Sequence, residues 1–260
     1  MTGTVITFTK SGKIGYIALN RPPANSYEIE FMRQLNDAIQ AADADEEVRV
    51  AILKSDLPKF FSAGADVKAF MANDTVGNMG MIRLAHQTLN KMRESGKIFI
   101  AAIQGHALGG GLEIALACDL RFAEEGGYKL GLPEVTLGLL PGNGGTQRLS
   151  RLIGANKALE MMITGETVGP QEALQLGLVN RLYPTGQLME QTQAYAEKLA
   201  RGASAAVRHI KQAVYEGIEM SLDDALALER ELIEPLFDTE DAREGFAAFA
   251  EKRQPVYKGR

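Results

Sequence analysis

Two glutamates lie in apolar surroundings beside glycine-rich turns, and they are the residues best suited to proton chemistry. Glu113 follows three consecutive glycines at positions 109–111 and precedes the apolar run 114–117. Glu134 is the lone carboxylate of the apolar stretch 130–141. Burial disfavours the charged form of a carboxylate and raises its pKa, as a general acid requires. The pair therefore predicts general acid–base catalysis.

Each glutamate also has a structural interpretation that the sequence leaves open. Glu113 could serve only to complement the dipole of the helix that follows the glycines. Glu134 directly follows Pro133 and could be an ordinary glutamate at a helix start. A decision between these interpretations and catalysis depends on what surrounds the two side chains.

Three small-residue turns could present backbone N–H groups to a ligand. They are the segments 63–67, 109–111 and 142–145, each followed by a predicted helix. Free N–H groups at a helix start can hold an anion, or a carbonyl oxygen that becomes anionic during a reaction. The same glycines also permit close strand–helix packing or a sharp turn. Neither the Walker motif nor the Gly-x-Gly-x-x-Gly spacing of dinucleotide-binding folds is present at the second turn.

The elements that must position these turns are short β-branched runs alternating with helical patterns. Strands are predicted at Val5–Phe8, Ile14–Leu19, Val48–Leu53 and Ile98–Ile103, and helices at Glu28–Ala42 and Gly80–Arg93. From position 188 onward only helical patterns follow, at 187–200, 203–217, 222–237 and 242–251. This order predicts an α/β fold with a largely parallel sheet. We expect two parts, an α/β core at 1–195 and a helical region at 196–260.

Composition excludes several classes of protein. The 260 residues are 45% hydrophobic and 23% charged, as in globular domains, and the formal net charge of −5 comes without a basic tract. Nucleic-acid binding is therefore not expected. The single cysteine, Cys118, cannot form an intrachain disulfide, and the three histidines show no metal-ligand spacing. With no signal-peptide pattern and no long apolar run, we expect a cytoplasmic protein that does not enter the membrane.

Taken together, the segments resemble the crotonase superfamily, the enoyl-CoA hydratase/isomerase family, across nearly the whole chain. The segments that carry the resemblance, all in the family's order, are 20–22, 62–66, 107–113, 118–119, 132–134, 142–149 and 249–253. The resemblance implies a crotonase-like spiral of ββα units, followed by a C-terminal helical region that forms trimers. It also implies a homo-oligomer, either a trimer or a hexamer built as a dimer of trimers.

The resemblance assigns roles to residues of the three turns. The N–H groups of Ala65 and Gly110 would form an oxyanion hole for the thioester carbonyl of an acyl-CoA. Glu113 would act as the base and Glu134 as the acid when water adds to a 2-enoyl-CoA. The positions implied in binding substrate or CoA are Ala63, Gly64, Ala65, Asp66, Val67, Gly109, Gly142 and Lys252. No metal or other cofactor is implied, since CoA arrives with the substrate.

Some implications of the resemblance stay open. Lys252 would reach CoA from a neighbouring subunit, but a lysine in the last turn of a helix also complements the helix dipole. Residues 71–82 vary among relatives and leave the acyl chain length undecided. An isomerase that moves a double bond with one carboxylate is the main alternative to a hydratase. A binding protein on the same scaffold and a structural subunit of a larger complex are further alternatives, which the net charge and the glutamate pair disfavour.

Overall fold

Two β-sheets with helices between and around them make up the fold, which is described here from a computed structural model covering residues 3–260. The strands are β1 (Ile6–Ser11), β2 (Ile14–Leu19), β3 (Val50–Ser55), β4 (Phe60–Ser62), β5 (Ile98–Ile103), β6 (His106–Leu108), β7 (Leu120–Glu124), β8 (Leu130–Gly131), β9 (Thr167–Val168) and β10 (Arg181–Tyr183). The helices are α1 (Ile29–Ala44), α2 (Val67–Ala72), α3 (Thr75–Glu94), α4 (Gly110–Ala117), α5 (Gly145–Ile153), α6 (Ala155–Thr164), α7 (Pro170–Gln175), α8 (Leu188–Ala200), α9 (Ser204–Gly217), α10 (Leu222–Ile233) and α11 (Glu240–Ala250). Short 3₁₀ helices span Glu134–Leu137 and Glu234–Asp238.

The sheet order confirms the predicted α/β fold with ββα units. The larger sheet has the order β1-β2-β3-β5-β7-β10, and all its pairs are parallel except β1 with β2. The smaller sheet has the order β4-β6-β8-β9. Each of β3, β5 and β7 is followed by a short strand of the smaller sheet and then by helical structure. Because β4, β6 and β8 are neighbours, the turns that follow them meet at one edge.

The central strand β5 shows why the apolar runs of the sequence are continuous. Its odd positions, Phe99, Ala101 and Ile103, belong to the main core under α1, α3 and α4. Its even positions, Ile100 and Ala102, face a second cluster that α8 covers. Successive side chains of a strand point to opposite faces, so a strand that is covered on both sides must be apolar throughout. The strands predicted at Ile14–Leu19 and Ile98–Ile103 are confirmed to the residue.

Helix α8 belongs to the core and not to the helical region that follows it. Leu188, Ala196 and Ala200 are buried in the second cluster, against the larger sheet. The predicted boundary at residue 195 falls within this helix, so we move it to the turn at Gly202. The division itself into two parts stays a prediction. After β10 the described residues contain helices and no further strand, as expected, and none of the helices in 3–260 is long and apolar enough to cross a membrane.

A buried lysine ties α9 to the core. The Lys211 ammonium donates hydrogen bonds to the carbonyl oxygens of Met92 (2.6 Å) and Lys97 (2.7 Å) and forms an ion pair with Asp119 (2.9 Å). The same Asp119 oxygen accepts a hydrogen bond from the N–H of Phe99 at 2.7 Å. A buried charge that loses its partner costs several kcal/mol, so this one side chain fixes the first helix of the C-terminal region.

We expect Lys211→Met to lower the free energy of unfolding by about 3–5 kcal/mol, because the Asp119 carboxylate stays buried without its partner. Burial raises the pKa of Asp119. Protonation would remove the unpaired charge, so the variant should lose less stability at low pH than at high pH. Urea unfolding at two pH values checks both effects. Lys198→Met, at an exposed position of α8, is the matched control. Equal stability of the two variants would contradict the prediction.

Candidate active site

The turns after β4 and β6 meet because these strands are paired in parallel, with Ser62 opposite Ala107. Gly64 adopts φ = +86°, in the left-handed region that favours glycine. A Cβ atom on Gly64 would lie 2.7 Å from the carbonyl oxygen of Leu108 and 3.0 Å from the nitrogen of Gly110. Only glycine allows this approach, which brings the N–H groups of Ala65 and Gly110 to the same small region.

Both of these N–H groups are free to donate. Tyr27 forms a parallel bridge with Ala65: its N–H donates to the Gly64 carbonyl (2.9 Å), and its carbonyl accepts from the N–H of Asp66 (2.8 Å). This pairing uses the groups on either side of the Ala65 N–H and leaves that N–H without an acceptor. Gly110 is the first residue of α4, where an N–H has no partner within the helix. Within residues 3–260, neither N–H has a hydrogen-bond acceptor.

Glu113 is a buried carboxylate held from outside its own helix. Its side chain extends from α4, and one oxygen accepts hydrogen bonds from the N–H groups of Asn143 and Gly145, both at 2.7 Å. Burial raises the pKa of Glu113, while these two donors and the nearby charge of Arg148 oppose the rise. The interpretation that Glu113 only complements its own helix does not account for these two hydrogen bonds. Its carboxylate lies at the start of α5 instead, since Gly145 is the first residue of that helix.

Glu134 is the second carboxylate of the site and opens a 3₁₀ helix after Pro133. One carboxyl oxygen lies against Gly109, where an added Cβ would come within 2.9 Å of it. The other oxygen is buried and has no hydrogen-bond partner within the described residues. Burial, with a smaller contribution from the charge of Glu113, raises the pKa of Glu134 to about 7. Glu134 therefore keeps its proton to a higher pH than an ordinary glutamate does.

The arrangement combines two N–H donors with two carboxylates of different character. Glu134 touches Gly109, the neighbour of Gly110, while Glu113 lies one helical turn further along α4. One carboxylate is fixed by hydrogen bonds, and the other has a raised pKa and an unpaired oxygen. Such a site can stabilise an oxyanion and transfer protons to and from a bound molecule.

The predicted binding residues next to Ala65 differ in their contacts and exposure. Asp66 caps α2 through the N–H groups of Lys68 and Ala69, and it forms an ion pair with Arg21 at 3.2 Å. Ala63 lies before Gly64, and Val67 begins α2 with an exposed side chain. These three residues are close neighbours of Ala65 in the chain, and their contacts with CoA stay a prediction.

Gly142 and Lys252 differ in their contacts with the other site residues. The Gly142 carbonyl contacts the Nε2 atom of His86 at 2.7 Å, and the residue directly precedes Asn143, so this turn borders Glu113. Lys252 follows α11 with φ = +55°, and its exposed side chain forms no hydrogen bond or ion pair within residues 3–260. The contact of Lys252 with CoA therefore stays a prediction.

Three residues of the site are not evident from the sequence. Tyr27 bridges Ala65, Asn143 donates to Glu113, and the Arg148 guanidinium donates to the Asn143 carbonyl at 2.8 Å. Asn143 and Arg148 lie in or just after the third turn, so that turn shapes the surroundings of Glu113. No local pattern marks Tyr27, which comes between a proline-containing turn and α1.

Comparisons with known proteins identify the family. The sequence model of the family described as "Enoyl-CoA hydratase/isomerase" matches residues 9–260. A 2,3-dehydroadipyl-CoA hydratase of Escherichia coli is 38% identical over 97% of this chain and 98% of its own. A short-chain-enoyl-CoA hydratase of Clostridium acetobutylicum is 37% identical over 96% and 95%. The crystal structure of an enoyl-CoA hydratase from Geobacillus kaustophilus has a TM-score of 0.97 and 48% identity, covering 100% of this chain and 98% of that one. The chain belongs to the enoyl-CoA hydratase/isomerase family.

Proposed function

We propose that this protein adds water to trans-2-enoyl-CoA thioesters and forms 3-hydroxyacyl-CoA, in the degradation of fatty acids or related acyl-CoA compounds. One observation carries the proposal. Two carboxylates lie beside two free N–H donors: Glu113 is buried and fixed by hydrogen bonds, and Glu134 is partly buried with one unpaired oxygen. Hydration of an enoyl thioester requires an oxyanion hole, a base and an acid. The two N–H groups would form the oxyanion hole, and the two glutamates would be the base and the acid.

The reaction follows from these groups. The N–H groups of Ala65 and Gly110 hold the thioester oxygen and draw electrons from C3. Glu113 accepts a proton from water, whose oxygen bonds to C3, and the electrons move to the thioester oxygen as an enolate. Glu134 then returns a proton to C2 as the enolate collapses. The two titrations belong to a coupled pair, so each apparent pKa describes the pair.

The surroundings of the site support an acyl-CoA as substrate. We place the CoA part along residues 63–67 and Gly142, with Lys252 contributed by a neighbouring subunit. Apolar side chains of α2 and α3 are exposed beside the first turn, among them Met71 and Val76 at 81% and 72%. An acyl chain would cover such a surface. The preferred length of the acyl chain is measured with enoyl-CoA substrates from C4 to C16. We propose that the reaction needs no metal or other cofactor.

The alternative function is movement of a double bond from C3 to C2, and Glu134 is the observation that favours it. Its unpaired buried oxygen could carry one proton between C2 and C4 without help from Glu113. Parallel assays with crotonyl-CoA and a 3-enoyl-CoA separate the two functions. Negligible hydration by the wild-type protein, together with rapid conversion of the 3-enoyl-CoA, would replace our proposal with isomerisation.

We also propose that the protein forms trimers or hexamers in the cytoplasm. The C-terminal helices expose large apolar side chains, which are Ile210, Val214, Ile218, Leu222, Phe237, Phe246 and Phe249. Exposed apolar side chains in such number are expected where subunits associate. Neither nucleic acid nor membrane is proposed as a partner. Sedimentation at micromolar concentration tests the assembly, and an active monomer of about 28 kDa would contradict it and the role of Lys252.

The raised pKa of Glu134 predicts an alkaline limb in the pH dependence. A general acid must carry its proton, so kcat/KM should fall as pH rises through about 7. The limb should disappear in Glu134→Gln, whose residual activity does not depend on this proton. The measurement is crotonyl-CoA hydration with a constant-ionic-strength buffer series. A profile that stays flat well above neutral pH would show that Glu134 does not act as the acid in the free enzyme.

A further inference from the structure

We propose that Tyr27 is a positioning residue that holds both oxyanion donors and Glu113 in one fixed arrangement. The inference rests on the proposed function and extends it to a side chain outside the family segments from which the catalytic roles were assigned. Tyr27 is buried, with only 3% of its surface exposed, and it contacts three separate parts of the site. These contacts are its backbone pairing, its ring and its hydroxyl.

The backbone of Tyr27 orients the first oxyanion donor. Its N–H and C=O pair with Gly64 and Asp66, the two neighbours of Ala65. These two hydrogen bonds fix the planes of the two peptide groups that join Ala65 to Gly64 and to Asp66. The direction of the Ala65 N–H is therefore set by Tyr27, although Tyr27 does not bond to that N–H.

The ring of Tyr27 covers the second donor. A Cβ atom built on Gly110 would overlap the Tyr27 hydroxyl and the adjacent ring carbons. The ring thus fills the space over Gly110 that a side chain would otherwise take. It also packs the first turn of α4 against the β-bridge between Tyr27 and Ala65. Movement of Gly110 toward this side is blocked by the ring.

The hydroxyl of Tyr27 connects these donors to the base. The side-chain amide of Asn143 donates to the hydroxyl, and the backbone N–H of the same asparagine donates to Glu113. Arg148 holds the Asn143 carbonyl from α5. Burial first, and then the charges of Glu113 and Glu134, raise the pKa of Tyr27, so the hydroxyl keeps its proton.

The test is Tyr27→Phe, which keeps the ring and the backbone and removes only the bond to Asn143. We expect kcat for crotonyl-CoA hydration to fall about 10- to 100-fold, as misplacement of catalytic groups does, with little change in KM. Glu113 must be ionised to act as the base, so kcat should have an acid limb, a fall at low pH. The Asn143 N–H lowers the pKa of Glu113, so loosening of this hydrogen bond should move the acid limb to higher pH. The charged and titratable groups around Glu113 are Glu134, Tyr27, Arg148 and His86.

A second readout does not depend on activity. Carboxyl ¹³C NMR of labelled glutamate, with Glu113 assigned from Glu113→Gln, should show a higher Glu113 pKa in Tyr27→Phe than in the wild type. If the wild type does not hydrate crotonyl-CoA, the proposed function fails, and this titration still decides the role of Tyr27. An unchanged Glu113 pKa overturns the inference.

A matched variant separates positioning from stability. Tyr128 is also buried, and its hydroxyl lies within hydrogen-bond distance of two carbonyl oxygens outside the site residues, those of Ile103 (2.8 Å) and Glu124 (2.7 Å). Tyr128→Phe should lower stability but leave kcat and the acid limb unchanged. Equal effects of both variants on kcat would overturn the inference. If Tyr27→Phe does not fold, Asn143→Ala removes the same hydrogen bond from the other side and must give the same shift.

Discussion

Glu113→Gln and Glu134→Gln are each expected to lower kcat for crotonyl-CoA hydration by at least about two orders of magnitude. Both changes keep the size of the side chain and remove its proton transfer. At position 113, the amide oxygen can still accept the hydrogen bonds of Asn143 and Gly145, so the start of α5 is preserved. At position 134, a neutral amide replaces a carboxyl group whose pKa burial raises to about 7.

Loss of enoyl-thioester absorbance measures the rate, and KM should change less than kcat because the CoA contacts remain. Glu125→Gln, at an exposed loop position, is a control that should retain wild-type activity. The two roles are also separable. If Glu113→Gln abolishes hydration but converts a 3-enoyl-CoA at the wild-type rate, Glu134 alone carries isomerisation. Full hydration by either variant would remove that glutamate from the mechanism.

The sequence was most informative where one residue type satisfies a local requirement. Strand Ile98–Ile103 had to be apolar on both faces, and the apolar setting of Glu134 predicted burial and a raised pKa. The turn at 109–111 carried its own signal, since φ = +52° at Gly109 favours glycine. These features depend on neighbours in the chain or on simple burial, and sequence patterns report both.

The sequence was least informative about contacts between distant segments. Tyr27 and Asn143 are 116 positions apart, and nothing near either residue indicates the hydrogen bond between them. Glu113 follows a glycine turn, so capping of its own helix was a reasonable interpretation. Its actual donors come from a segment 30 and 32 positions later. Only the pairing of β4, β6 and β8 brings these turns together, and that pairing is a property of the whole fold.

The N–H of Gly110 is one of the two predicted oxyanion donors, and the structure determines which substitution can test its role. Gly110→Pro removes the N–H, but its ring would also add atoms where the Tyr27 hydroxyl lies, so a loss of activity would have two explanations. Replacement of the Gly110 peptide bond by an ester, through incorporation of glycolic acid, exchanges N–H for oxygen without extra atoms. Because the first N–H of a helix has no partner within it, α4 should tolerate the change.

The ester at position 110 is expected to lower kcat for crotonyl-CoA hydration by about 10²–10³-fold, the effect of losing one oxyanion-hole donor. KM and the thermal midpoint should change little, since this N–H stabilises charge that develops during the reaction. Lactic acid at position 65 removes the other donor and should have an effect of similar size. An ester at Gly127, an exposed loop position with open space around its Cα, controls for the chemistry of incorporation. If the esters at 65 and 110 both hydrate crotonyl-CoA as fast as the Gly127 ester, the oxyanion is stabilised elsewhere, and the meeting of the β4 and β6 turns serves packing alone.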